Sequence, residues 1–170
     1  MAQIRRYGGA GDQACGSVRA VVSLGMAPHD KPQIVLSAPC ACGAVTVAIS
    51  GRVRSMFMCS CEDCQRSTGT GHATVALVAI GDLTVTGPTS SFARTAHSGA
   101  TLTRWFCPGC GTPLYARSSR AAELAMLPVG LFGEATDWFV PSQLIFARSH
   151  HDWDVIAPDV PQYATYREPS

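Results

Sequence analysis

A chain of 170 residues with a formal charge of +1 and no block of like charges offers no electrostatic footprint for nucleic acid or for an acidic surface. No apolar run approaches the ~20 residues that span a bilayer, and Arg19 abuts the short N-terminal patch Ala20 to Leu24, so that patch does not read as a secretory signal. The length fits one domain with a real core, and 46% hydrophobic against 15% charged residues fits a compact body.

Residues 1–32 read as an extension, expected to be poorly ordered, because Gly8 to Gly11 and Pro28 to Pro32 are rich in breakers and lack periodicity. Met26 is a second candidate start within it, and Cys15 is either an incidental thiol or a supplementary ligand. A single domain is expected over 33–166, with 167–170 as a tail.

From Ile34 onward short strand patterns alternate with Gly, Pro and Ser. Ala44 to Ile49 and Val53 to Met58 read as an antiparallel pair turned by Ser50-Gly51, and the second runs directly into Cys59-Ser60-Cys61-Glu62-Asp63-Cys64. Asp63 to Thr68 can hold one helical turn with Cys64 at its start, where backbone amides favour a thiolate. Further strands are expected at His72 to Ile80, Leu83 to Thr86, Ser90 to Thr95 and Thr101 to Phe106, the last feeding Cys107 as the earlier one feeds Cys59. Leu114 to Ala116, Leu124 to Val129 and Leu144 to Ala147 complete the set. No amphipathic helix of three turns is evident, so the fold class is mainly β, with packed antiparallel sheets and few short helical turns.

Seven of the eight cysteines fall into three local groups. Cys107-Pro108-Gly109-Cys110 has the spacing of a zinc knuckle, and Cys40-Ala41-Cys42 supplies the other half of a closed tetrahedral site. Cys59, Cys61 and Cys64 then remain as a group of three, and a zinc given three protein ligands keeps a position for water or substrate. Disulfides are the competing reading of the count, but cysteines two apart bond to each other only with strain. Thiols in metal-ligand spacing persist best in a reducing compartment, so the cytoplasm is expected. Cys-x-Cys-x-x-Cys also lacks the usual iron–sulfur spacings.

His72 is either a fourth ligand that would close the second site or a half-buried residue opening a strand. His97, His150 and His151 read as solvated loop residues, and Trp105 and Trp153 as core packing near the zinc ends.

The pattern Cys40-x-Cys42-Gly43, Cys59-x-Cys61-x-x-Cys64-x-Arg66-x-x-Gly69, Phe106-Cys107-x-x-Cys110-Gly111-Thr112-Pro113-Leu114, with Pro141, Ile145-Phe146 and Trp153 downstream, resembles the glutathione-dependent formaldehyde-activating enzyme family, which includes the centromere protein V group. The likeness runs from about Ile34 to Tyr163. It implies an Mss4-like β-tent with a structural zinc on Cys40, Cys42, Cys107 and Cys110 and a second zinc on Cys59, Cys61 and Cys64. It further implies a carbon–sulfur lyase that joins glutathione or a related thiol to formaldehyde or another small aldehyde. The different class to weigh against it is a zinc-stabilised module that holds a thiol metabolite or a protein without turnover. For glutathione's carboxylates, Arg66 and Arg104 are the cations nearest the cysteine motifs in sequence. Ser60 stands where the family often has His, which removes one candidate proton carrier.

Overall fold

The computed structural model describes residues 19–22 and 31–167. Cys15 and Met26 lie outside the described residues, as does the rest of the expected extension apart from Arg19–Val22 and its last two positions. The architecture is mainly β, as expected: two sheets and one short helix among the described residues.

In the smaller sheet, β1 (Arg19–Val22), β2 (Gln33–Pro39), β3 (Thr46–Arg52) and β6 (Leu83–Thr86) lie side by side in that order, all antiparallel. Burial alternates residue by residue along β2 and β3, so Ile34, Leu36, Val47 and Ile49 turn inward. The larger sheet holds β4 (Ser55–Cys59), β5 (Ala73–Ala79), β7 (Ser90–Thr95), β8 (Thr101–Phe106), β9 (Pro113–Ser118), β10 (Ala121–Pro128), β11 (Leu144–Ile145) and β12 (Gln162–Tyr163). Its order is β12-β11-β4-β5-β10-β9-β8-β7, with parallel pairing confined to β12-β11-β4. The sheets close on a core in which Ile34, Leu36, Leu114, Leu127 and Phe132 are essentially fully buried. Burying each such side chain contributes about 1.5–3 kcal/mol.

The strands before and after Ser50-Gly51 are not a pair, contrary to the sequence expectation. β3 pairs with β2 and β6, whereas β4 pairs with β5 and β11. The chain changes sheets at Val53-Arg54: the Val53 amide donates to Pro32 O on one side (2.9 Å), and the Arg54 amide to Leu77 O on the other (2.7 Å). Alternation of residue types predicts a strand but not its neighbour, and the buried Val53 side chain forms the corner. The tryptophan expectation also divides. Trp105 is half-buried and stacks on Tyr115 (4.5 Å), but Trp153 is 69% exposed and stacks on His151, while Trp138 fills the core instead.

One glycine guards the end of this core. Gly87 has φ +110°, and a Cβ there would lie 2.2 Å from the carbonyl oxygen of Ala44, a backbone atom beside the Cys40–Cys42 turn. Gly87→Ala is therefore expected to destabilise by at least about 2 kcal/mol, read as a lower denaturation midpoint with unchanged m-value.

Candidate metal centres and the cleft beside them

Two β-turns, one from each sheet, meet at the four outer cysteines. In the β2–β3 turn, the Gly43 amide donates to Cys40 O (2.9 Å), and the Val45 amide points at Cys40 Sγ (3.3 Å). In the β8–β9 turn, the Gly111 amide donates to Cys107 O (2.8 Å) and the Cys107 amide to Thr112 O (3.0 Å). Thr112 ties the two together, since its Oγ1 accepts from the Ala41 amide (3.1 Å) and lies 3.1 Å from Cys110 Sγ. That hydroxyl, followed by the Thr112 backbone amide, holds the Cys110 thiol down to about 5.

The sulfurs of Cys40, Cys42, Cys107 and Cys110 all lie within 4.8 Å of one another, with Cys40–Cys42 at 3.5 Å and Cys42–Cys107 at 3.7 Å. A tetrahedral metal with ~2.3 Å bonds to sulfur has edges of about 3.8 Å, so the set already has the size of a four-thiolate cage. Nothing else in the donor set is left to coordinate, and the site is closed.

The second group forms where β4 ends and α1 (Glu62–Thr68) begins. Cys59 is the last residue of β4, Cys61 is the N-cap in extended conformation, and Cys64 lies in the first turn. This is the strand-to-helix junction expected from the spacing. The three sulfurs also lie within 4.8 Å of one another, and among the described residues no other His, Cys, Asp or Glu joins them. The thiols of Cys59 and Cys64 donate toward Cys61 and hold it far below the ordinary thiol range, while the same contact pushes Cys59 far above it. Three converging sulfurs, one of them already favoured as thiolate, are a donor set that a soft cation can take over by displacing the remaining protons.

His72 is not a ligand. Its Nδ1 lies 2.6 Å from Asp154 Oδ2, and both side chains are largely buried. His150 approaches the same aspartate, so this cluster fastens the C-terminal loop to the start of β5. Gln65 adds a second fastening: its side-chain amide donates to Ser60 O (2.8 Å) and Ser149 O (2.7 Å), and its Oε1 lies 3.0 Å from His151 Nε2. Gln65→Ala removes a donor from two carbonyls in partly buried surroundings, so a loss of about 1–3 kcal/mol is expected. Amides from Phe146 to His151 should then exchange faster with solvent than in the parent protein.

Cys59, Cys61 and Cys64 open onto a cleft of about 870 Å³ on the face of the large sheet turned away from the core. Arg66, Arg94, Arg120, Arg148 and Arg167 line it, against Glu62 and Asp63. Two of these arginines are neutralised locally, Arg66 by Glu62 (2.8 Å) and Arg94 by Asp63 (2.7 Å). The other three make no ion pair among the described residues.

The two arginines singled out in the sequence therefore differ. Arg66 is exposed at the rim and held by its helical neighbour; Arg104 does not line the cleft, and its Nη2 lies 3.9 Å from Cys64 Sγ. Sequence reasoning missed Arg94, whose charge acts on Cys61, because only the β7–β8 register places it opposite Leu102 and into the cleft.

His97 also lines the cleft. It is exposed, as expected of a turn residue, but its ring packs edge-on against Phe146 (5.4 Å) and its Nε2 lies 3.4 Å from Arg148 Nη2. Phe146 is the one non-glycine residue of positive φ (+58°) among the described residues, and its ring is buried between His97 and Tyr166. Such a conformation costs about 1–3 kcal/mol and persists where the surroundings fix it. Ser60 is fully buried, does not line the cleft, and its hydroxyl has no hydrogen-bond partner among the described residues.

Among the described residues no helix is long and apolar enough to cross a membrane. A protein-family model described as glutathione-dependent formaldehyde-activating enzyme matches residues 35–149. Among solved structures, the crystal structure of a Rhodobacter sphaeroides protein is similar with a TM-score of 0.47 and 18% identity, over 74% of this chain and 98% of that one.

Proposed function

This chain belongs to the glutathione-dependent formaldehyde-activating enzyme family, and we propose that it is a zinc-dependent carbon–sulfur lyase that adds glutathione, or a thiol like it, to a small aldehyde. The observation that carries the reading is that three cysteines, not four, converge at the wall of a cleft, while a separate set of four is closed. Cys40, Cys42, Cys107 and Cys110 would hold a structural zinc, and Cys59, Cys61 and Cys64 a second one. Zinc held by these three cysteines would supply Lewis acidity and favour the thiolate form of an incoming thiol.

The chain's own residues do the rest. Glutathione brings two carboxylates, and Arg120, Arg148 and Arg167 are the rim cations that make no ion pair among the described residues. Arg94 and Arg104 bring positive charge to Cys61 and Cys64, against the negative charge that a thiolate set carries. In the addition, a sulfur–carbon bond forms at the aldehyde carbon, the carbonyl π bond breaks, and the thiol proton ends on the former carbonyl oxygen. Among the described residues His97 is the imidazole that lines the cleft, and it is the group we assign to carry that proton. Thiols spaced for metal binding persist best in a reducing compartment, which supports a cytoplasmic location. A module that binds without turnover would need only the closed four, so the three-cysteine opening favours the enzyme.

The test is exchange NMR on labelled formaldehyde with glutathione, because the uncatalysed addition is facile and has to be measured alongside. The exchange rate is expected to rise above background in proportion to protein, to saturate with glutathione, and to fall when S-methylglutathione competes. A rate that stays at the spontaneous value at every protein concentration overturns the reading.

A further inference from the structure

The floor of the cleft is chemically unlike its rim. On β4 the alternation that buries Met56 and Met58 toward the other face turns Phe57 and Cys59 into the cleft. On the neighbouring strands Val75, Leu77, Leu124 and Met126 face the same way, with Phe57 opposite Val75 and Leu77 opposite Met126. The result is a stripe of apolar side chains across β4, β5 and β10. Phe57, Leu77, Leu124 and Met126 are only half-buried, although nearly every apolar side chain on the opposite face of these strands is fully buried. A contiguous apolar surface left open in this way marks a place that an apolar body occupies.

Neither substrate of the proposed reaction supplies that body. Formaldehyde is little larger than a water molecule, about 30 Å³, against a cleft of about 870 Å³. Glutathione is largely polar, and the rim arginines match its carboxylates. The stripe, moreover, does not end at the rim. It runs along β4 into Cys59, which is two residues from Phe57 on the same face, so it begins where the reacting carbon must sit.

We propose that the aldehyde this site takes carries an apolar chain or ring, which lies on the Phe57–Leu77–Met126 floor while its carbonyl carbon meets the thiol beside Cys59, Cys61 and Cys64. The inference rests on the thiol–aldehyde reading and narrows its substrate class. The reaction is the same balanced addition: the thiol loses its proton to the carbonyl oxygen, and no oxidant or reductant enters.

S-alkylglutathiones stand in for the adduct, with the alkyl group in place of the aldehyde's carbon chain. The full-length, metal-loaded protein with 13C-labelled methionine methyls is titrated with the S-methyl, S-butyl and S-hexyl compounds. Met126 reports from the floor, and Met56 and Met58, on the other face of β4, serve as internal references. The dissociation constant is expected to fall about fourfold per added methylene over the first few carbons, with the Met126 methyl signal shifting. Leu77→Asn, checked for an intact fold by its melting curve, should reduce that gain to under twofold, and Leu77→Met should retain it. Affinity that is flat or falling with chain length, no binding by any of the compounds, or binding that leaves Met126 unmoved overturns the proposal.

The exchange measurement, repeated with butanal and hexanal, separates the two failures. Formaldehyde turned over faster than either longer aldehyde, each relative to its own spontaneous rate, keeps the family reaction and refutes the apolar substrate. Tight, chain-length-dependent binding with no aldehyde turned over keeps the apolar floor and refutes the enzyme.

Discussion

Replacing Cys107 with serine is expected to remove the metal from the closed site and with it most of the protein's thermal margin. Cys107 is fully buried and belongs to the main core, while its partners Cys42 and Cys110 are exposed. The two turns it joins come from different sheets, and besides the core they are linked by Thr112, through the Ala41 amide and its own place beside Cys110. Structural zinc sites contribute about 10–16 kcal/mol of apparent binding energy, comparable to the whole 5–15 kcal/mol margin of a typical domain, and the proposed zinc on these four sulfurs would do the same. Losing even a third of it, about 4 kcal/mol, lowers Tm by roughly 8–16 °C for a chain of this size. Cys110→Ser provides the comparison, because it removes an equivalent ligand without putting a hydroxyl into the core. Metal stoichiometry and a thermal melt of both variants should show one metal lost in each, with Cys107→Ser the less stable. A melt unchanged in both would mean that the four sulfurs hold nothing that the fold depends on.

The parts of this molecule that could be read from sequence are those in which neighbours in the chain are also neighbours in space. Cys59, Cys61 and Cys64 meet because one strand end and one helical turn are enough to gather them. The two outer pairs could be divided from them because each pair has its own turn, and the tetrahedral count then leaves one way to join them. Where position depends on which strands pair, sequence was silent. Alternation marked Val53 to Met58 as a strand, yet its partners proved to be β5 and β11, because a corner residue moves the chain to the other sheet. Arg94 illustrates the same limit on the scale of a side chain. Thirty positions separate it from Cys64, and nothing near it in the chain announces a site; the β7–β8 hairpin alone delivers it to Asp63 and Cys61. The apolar floor was hidden for a related reason, since half-buried Leu77 and Met126 have the same local pattern as residues of a closed core.

Cys61→Ser should have the opposite profile to Cys107→Ser: a folded protein that has lost its chemistry. Cys61 is half-buried at the N-cap of a helix of seven residues, and it belongs to the small cluster with Cys59, Ile145 and Phe146 rather than to the main core. A serine hydroxyl is compatible with that N-cap position, where it is among the preferred residues, so the helix start is not the part at risk. What is lost is the thiol toward which Cys59 and Cys64 donate and on which the charge of Arg94 acts. Two remaining sulfurs cannot complete a three-cysteine site, and a neutral hydroxyl gives the metal no thiolate in exchange. The variant is therefore expected to carry one metal per chain instead of two, to melt within a few degrees of the parent, and to add nothing to the spontaneous exchange of formaldehyde with glutathione. Two metals retained with full activity would remove Cys61 from the site. One metal retained with full activity would mean that the closed four-cysteine centre suffices, and that the cleft acts on its substrate without the second ion.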